Sequence, residues 1–350
     1  NPAGGNYYSS PIQIPGTTWD GSKFRAYSHH SGCIKTDGTL WMWGENEAGQ
    51  LGQNNINTPG NYGVSSPVQI PGTTWSTITR SSTSFQSGSI KTDGTLWLWG
   101  GGASGNIAQN NRTQYSSPVQ VPGTTWSMAS QSEDATLAIK TDGTLWAFGW
   151  NGGGALGLNQ TGAPSTKYSS PVQVPGTTWD NAFLNSQYGA MATKTDGTLW
   201  SWGYNAANAY GVLGLNDLTW RSSPTQIPGT WATGADKFTM KWRTAAAIKA
   251  DGTLWTWGWQ VYGSGNNNNS PNISSPVQIG SGTDWDKVAA THTTQFAKKT
   301  DGTLWGWGRG DRGQLDNDSN INYSSPVQIN GNWPSFVDGN QNTVFGVGML

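Results

Sequence analysis

Charge is what this sequence has least of. Asp, Glu, Lys and Arg make up 11% of its 350 residues, and the net charge is −1, where an ordinary soluble domain carries roughly a quarter charged residues. No basic run occurs, which excludes nucleic-acid or anionic-membrane binding by bulk electrostatics. The lone cysteine, Cys33, excludes an intramolecular disulfide and a Cys-x-x-Cys or Cys/His metal cluster. It stands where other copies of a repeat carry Gly or Ser, so a buried thiol is expected. No apolar run reaches the length of about 18 residues that a membrane span needs, so no membrane insertion is expected. A 3.6-residue apolar period is missing as well, so helices should be few. There is no Gly-x-x-x-x-Gly-Lys-Ser/Thr phosphate loop and no Gly-x-Ser-x-Gly elbow. His29, His30 and His292 come with no nucleophile motif. Asp316-Asn317-Asp318-Ser319-Asn320 has the alternate-oxygen spacing of a calcium loop but lacks the following Gly and the distal Glu. The chain is therefore expected not to be an enzyme, and to need neither metal nor cofactor.

What the sequence has in abundance is glycine (49) and tryptophan (22), and both are periodic. Ile34-Lys35-Thr36-Asp37-Gly38-Thr39-Leu40-Trp41-Met42-Trp43-Gly44 recurs almost verbatim around Gly94, Gly143, Gly197, Gly252 and Gly302. Two β-prone runs flanking Asp-Gly predict a hairpin, expected here as a two-residue type I′ turn. Along the second arm Thr39, Trp41 and Trp43 point one way and Leu40 and Met42 the other. Both faces are apolar, so this strand should lie between two protein layers.

A second block, Ser-Ser-Pro-Val-Gln-Ile-Pro-Gly-Thr-Thr-Trp with small variations, precedes each hairpin. Its Trp falls at Trp19, Trp75, Trp126, Trp179, Trp231, Trp285 and Trp333. Each unit of about fifty residues then reads as four strands: a Val-Gln-Ile run, a short run after the Trp, and the two hairpin arms. Pro ahead of the first run fits an edge strand. Repeated four-stranded units of this length predict an all-β fold, a seven-bladed β-propeller of antiparallel blades forming one domain over residues 1–350. Asn1-Pro2-Ala3-Gly4-Gly5 aligns with Asn46-Glu47-Ala48-Gly49-Gln50, and the other end stops where a Lys-Thr-Asp-Gly turn is due. The ring should close by pairing of the N- and C-terminal segments, in a blade one strand short. That blade is open either to residues of a longer polypeptide or to a neighbouring chain.

Trp43-Gly44-Glu45-Asn46-Glu47-Ala48-Gly49-Gln50-Leu51-Gly52 resembles the signature of the regulator of chromosome condensation repeat. Weaker echoes run from Phe148 to Gly157, from Gly203 to Gly214 and from Gly308 to Leu315. The resemblance covers essentially the whole chain and implies a seven-bladed propeller, here as a divergent member in a bacterial or phage-like setting. It says little about function, because one propeller scaffold hosts many roles. Nucleotide exchange on a small GTPase, an activity known in the family, is not favoured, since no unit carries a clear extra hairpin.

Eighteen of the tryptophans sit in periodic slots and are expected to be core. The others are Trp150, Trp220, Trp242 and Trp259. Trp242-Arg243 faintly resembles Trp-Arg pairs that recur on successive blades in a light-sensing branch of the same family. It occurs once here, and light sensing is not expected. Trp150 and Trp259 share one repeat position, which reads Glu45, Gly101, Trp150, Tyr204, Trp259, Arg309 around the ring. Three neighbouring aromatics with Arg309 beside them, and the Asn151 and Asn205 amides next in sequence, suit stacking on sugar rings while the amides read hydroxyls. The expected function is a non-catalytic binding scaffold for extracellular or surface recognition of a glycan or protein partner. The alternative is an intracellular protein-interaction propeller, including exchange-factor-like regulation of a small GTPase. Sparse charge with abundant Asn, Gly, Ser and Thr favours a secreted or surface-displayed setting.

Overall fold

In each copy of the hairpin, the Asp-Gly pair is held from three directions. Gly38 N–H donates to Lys35 O at 3.0 Å and Lys35 N–H to Thr39 O at 2.9 Å. Only the glycine of the pair has a positive φ, +79° at Gly38. The connection is thus a three-residue loop ending in a left-handed Gly, the form that accompanies a type I turn with a bulge, and not the two-residue type I′ turn expected from the sequence. Asp37 explains the difference. Its Oδ1 accepts from both the N–H (3.0 Å) and the hydroxyl (2.7 Å) of Thr39, and Trp41 Nε1–H donates to Thr39 Oγ1 at 2.8 Å. An Asp held this way stays on the negative-φ side of the turn, and the whole Asp-Gly-Thr-Leu-Trp string becomes one hydrogen-bonded unit.

The computed structural model describes residues 14–57, 63–81, 85–160, 166–185, 189–205, 210–259, 272–291, 293–311, 315, 320–331, 333, 335–337 and 345–347. Six antiparallel blades of four strands follow one another along the chain, each in sequence order, and the sheet of the third also takes the short strand Arg80–Ser81 in parallel beside its first strand. In the first blade the strands are Trp19–Ala26, His30–Lys35, Leu40–Glu45 and Gly63–Ile70. The fourth blade comprises Trp179–Leu184, Gly189–Lys194, Leu199–Gly203 and Arg221–Ile227, and the fifth Phe238–Lys241, Thr244–Ile248, Leu254–Gly258 and Ile273–Gln278. A seventh sheet pairs Ser335–Val337 with Phe345–Val347, and its first strand lies beside the first blade. The expected pairing of the two terminal segments, the missing strand and Asp316–Ser319 of the candidate calcium loop fall on residues outside the described set. The one helical turn among the described residues is Gly152–Gly154.

The sheets shift the phase read from the sequence. The Ser-Ser-Pro-Val-Gln strand does not open its own unit; it closes the preceding blade, with Trp41 opposite Gln69 and Met42 opposite Val68. It is the outer strand, and the ladder there has a register shift at the Pro, where a missing N–H costs least. First strands of successive blades touch one another and so line the axis. There Arg80 of the second blade donates to Ala235 O at 2.7 Å across the ring, and both Arg80 and Lys241 pack on the Phe183 ring.

Three contacts fasten each blade to the next. Trp75 N–H donates to Gly38 O at 3.0 Å, tying a turn to the following unit. Trp99 Nε1–H donates to Gln50 O at 2.8 Å, as Trp202 does to Ala155 O and Trp257 to Val212 O. Finally Asn54 N–H donates to Ser116 O at 2.8 Å, and Ser117 Oγ–H to Asn54 Oδ1 at 3.3 Å. This last lock repeats at Asn110, Asn159 and Asn216, each with a φ between +55° and +61°, a conformation Asn tolerates. The core accordingly lies between blades: one cluster joins Leu137 and Leu145 to Trp179 and Trp202, the next Phe183 and Leu199 to Phe238 and Trp257. Cys33 is buried in its strand, and burial first, then nearby Asp20, pushes its thiol up to about 11. It behaves as a small apolar group.

Candidate functional site

In five of the six copies the residue after the strand-ending Gly is fixed by one repeated bond. Glu45 N–H donates to His29 O, Gly101 to Phe85 O, Trp150 to Asp134 O, Trp259 to Arg243 O and Arg309 to Thr293 O, at 2.8–3.0 Å. The acceptors all lie in the loop between first and second strands of the same blade. These two loops therefore share one rim, opposite the Asp-Gly turns.

On that rim the candidate residues do different things. Trp150 is half-buried and laid over its own loop: a Cβ built on Gly152 would fall 2.2 Å from the indole. The next residue, Gly153, lies against Tyr204 of the following blade. Tyr204 meets Trp220 with ring centroids 4.4 Å apart, and Trp220 is 51% exposed. Trp259 stands edge-on to Trp242 at 5.0 Å and to Tyr210 at 5.8 Å. Arg243 fills the space among these three rings, its guanidinium carbon 3.8 Å from the Trp242 ring and 4.3 Å from Tyr210, with Nη1 donating to Tyr210 Oη. Trp242 takes φ +43° in the two-residue loop Trp242-Arg243, an outlier for a bulky side chain. Arg309, on the sixth blade, pairs through Nε with Asp311 at 2.7 Å.

Asn151 and Asn205 must be taken out of the reading surface. Both are fully buried. Asn151 Oδ1 accepts from Leu156 N–H at 3.0 Å and its Nδ2 donates to Gln160 O; Asn205 does the same with Leu213 and Asp217, as Asn46 does with Leu51 and Asn55. This Asn shapes the loop, and its amide is already satisfied. The repeat itself held the signal: Asn46 sits in the same slot of a unit with no aromatic beside it. The structure instead adds Trp220, Trp242, Arg243 and Tyr210 to the aromatic arc. The two tryptophans were legible as non-periodic and Arg243 as the partner of Trp242 in the Trp-Arg pair, whereas Tyr210 carries no sequence mark of its own.

Among the described residues His29 and His30 are each engaged. His30 Nε2 meets Ser87 Oγ at 2.8 Å, but Ser87 is buried and donates to Gln50 O. His29 bonds Glu45 at the surface. Among the described residues no group of His, Cys, Asp and Glu could hold a metal ion, and no helix is long and apolar enough to cross a membrane.

Fold and rim together define a β-propeller of repeated four-stranded blades. The model of the regulator of chromosome condensation (RCC1) repeat matches residues 37–82 and 301–340. The ultraviolet-B receptor UVR8 of Arabidopsis thaliana is 26% identical over 251 residues, 68% of this chain and 53% of the receptor, so the match spans about half the receptor's length. Yeast RCC1 (Prp20), solved bound to Kap60, superposes with a TM-score of 0.75 at 18% identity, over 93% of this chain and 80% of that one. Human WBSCR16 gives a TM-score of 0.73 at 16% identity, over 91% of this chain and 85% of that one. Prp20p from Saccharomyces cerevisiae, in a structure reported with its binding to Gsp1p and histones, also gives 0.73, at 18% identity over 93% and 82%. The chain thus matches the RCC1 repeat in two stretches and shares the fold of these propellers.

Proposed function

We propose that this propeller is a non-catalytic scaffold that takes a protein partner on its loop rim, through the arc from Tyr204 and Trp220 to Trp242, Arg243 and Trp259. One observation carries the reading: Trp220 is half-exposed against Tyr204, on the same rim as an Arg enclosed by three rings. Trp, Tyr and Arg are the residue types that dominate binding energy at protein interfaces. The propellers of like fold named above with Kap60, Gsp1p and histones support a protein as the kind of partner; a small GTPase would be one specific form of it. A surface glycan is the second reading, favoured by the exposed Trp220 indole and weakened because the Asn151 and Asn205 amides are already engaged. A secreted or surface-displayed setting, with the low charge as support, is likewise a proposal. The test is a paired screen, on protein and glycan arrays, of wild type and the Tyr204→Ala/Trp220→Ala variant. Protein features bound by wild type and lost in the variant are expected. Equal binding by both would overturn the site, and glycan-only binding lost in the variant would favour the second reading.

A further inference from the structure

The six repeats also let each blade be checked against the other five, and one groove departs from the pattern at four places. Opposite the strand-ending Gly, the outer strands carry Val64, Tyr115, Tyr168, Ile273 and Tyr323, but Arg221 in the fourth blade. Opposite the central residue of the third strand they carry Val68, Val119, Val172, Val277 and Val327, but Thr225 in the fourth. After the hairpin Lys, five units have Thr and the fifth has Ala250. The connection Pro228-Gly229-Thr230-Trp231 is one residue shorter than the Pro-Gly-Thr-Thr-Trp of four other units. All four changes fall at the junction of blades four and five, where a groove of about 460 Å³ runs beside the outer strand, lined by Arg221, Thr225, Pro228, Lys249 and Trp255 among others.

Lys249 shows what the groove lacks. In five blades the hairpin Lys lies between its two indoles at similar distances, 4.7 and 4.3 Å for Lys35 and 5.0 and 5.2 Å for Lys299. Lys249 has swung to 3.6 Å from the Trp255 ring and 5.5 Å from Trp231. Among the described residues no carboxylate or carbonyl accepts from its ammonium, whereas Lys299 reaches Asp284 at 3.1 Å. Toward the loop-rim end, Arg221 uses Nη2 on Asp217, which leaves other donors of its fork toward the groove.

We propose that this groove binds an acidic oligosaccharide. Its carboxylates meet Lys249 at one end and Arg221 at the other, its ring faces rest on Trp255, Pro228 and Pro276, and its hydroxyls meet Thr225, Gln226 and Ser275. Seven residue steps separate Arg221 from Pro228, on the order of 20 Å of strand, which suits an oligomer over a single sugar. A peptide adding as a strand is disfavoured, because Pro224 and the register shift beside it interrupt the outer edge.

The groove is separate from the aromatic arc, so the two proposals fail independently. Calorimetric titration of the whole chain with oligogalacturonates of one to four residues is the test, against the same oligomers methyl-esterified and a glutamate oligopeptide of equal charge. Binding is expected to rise with oligomer length and to weaken with salt. It should fall at least about tenfold in Lys249→Gln and in Arg221→Tyr/Thr225→Val, and persist in Tyr204→Ala/Trp220→Ala. The double variant restores residues that other blades already carry, so its melting temperature should stay near that of wild type. The proposal is overturned if the acidic tetramer does not bind, if the ester binds as well, if the peptide binds more tightly, or if the double variant binds unchanged.

Discussion

The two rims of this propeller are built from the same repeats yet carry different kinds of information. On the turn rim, six Asp-Gly-Thr-Leu-Trp strings make the same bonds, with Asp Oδ1 to Thr at 2.6–2.7 Å and Thr to Trp at 2.8–2.9 Å. On the loop rim, the equivalent position is filled by Glu45, Gly101, Trp150, Tyr204, Trp259 and Arg309. The backbone there is just as constrained, through one N–H at Glu45, Gly101, Trp150, Trp259 and Arg309, but the side chains are not. A side chain that bonds its own turn or the next blade is fixed by the fold, and one that only leaves the rim can vary.

The largest effect expected from breaking this distinction is at Trp202. It is fully buried, edge-on to Trp179 at 6.0 Å, and donates to Ala155 O of the preceding blade at 3.0 Å. Trp202→Ala should cost about 3–5 kcal/mol for the cavity, with about 1–3 kcal/mol more for the orphaned carbonyl, read by denaturant melts. A loss under about 1 kcal/mol would mean that the blades are not held together by these indoles.

Glycines sharpen the comparison within the turn rim. Gly38 has φ +79°, and a Cβ there would fall 2.3 Å from Thr73 O, the next unit's backbone; Gly302 has φ +89° but, among the described residues, nothing within 4 Å of a built Cβ. Gly38→Val should therefore cost more than Gly302→Val, about 3 kcal/mol against about 1–2 kcal/mol, the latter being backbone strain alone. Equal losses would show that inter-blade contact adds nothing to the conformational requirement.

Much of this was readable from the sequence. The strand arms around Asp-Gly follow from spacing, because the repeat presents each unit several times over; the periodic tryptophans divide, with Trp99, Trp202, Trp257 and Trp307 fully buried and Trp97, Trp146, Trp200, Trp255 and Trp305 only partly so, each under a Lys. The phase of the blades did not follow: Ser-Ser-Pro-Val-Gln pairs with the hairpin before it, and adjacency in sequence does not say which neighbour a strand chooses. The turn type was misread because Asp-Gly serves two loop lengths, and the deciding bond is Asp37 to Thr39. The site was half legible. Trp150, Tyr204 and Trp259 stand on one rim, but Asn151 looked like a ligand only while its bond to Leu156 was unseen.

Acid offers a smaller perturbation of the turn rim as a whole. The carboxyls of Asp37, Asp93, Asp142, Asp196 and Asp251 are held below their ordinary 3.8 chiefly by the following Thr hydroxyl, and that of Asp301 chiefly by the Thr303 N–H. A carboxyl with a depressed folded value contributes stability that is present above the unfolded value and lost as pH falls through the folded one. Thermal stability should thus hold down to about pH 4 and decline below it. Replacing all six by Asn keeps an acceptor oxygen without a titrating proton, so that variant should lose less on acidification. Parallel pH profiles of the two proteins would contradict a role for these turns in acid sensitivity.

The smallest effect on folding, and the one that separates the rims most cleanly, is expected at Trp220. Half of its surface is already in water, and its described ring contact is with Tyr204 at 4.4 Å. Trp220→Ala should change stability by no more than about 0.5 kcal/mol, as surface substitutions outside core, cap and turn features do. The same side chain is a candidate anchor for a partner, and an anchor truncated to Ala costs about 2 kcal/mol or more of binding. Measured together, melting and partner affinity should then move in opposite proportion to Trp202→Ala, where folding is lost first. If Trp220→Ala melted as early as Trp202→Ala, the loop rim would be part of the frame after all, and the variability of its side chains would need a different explanation.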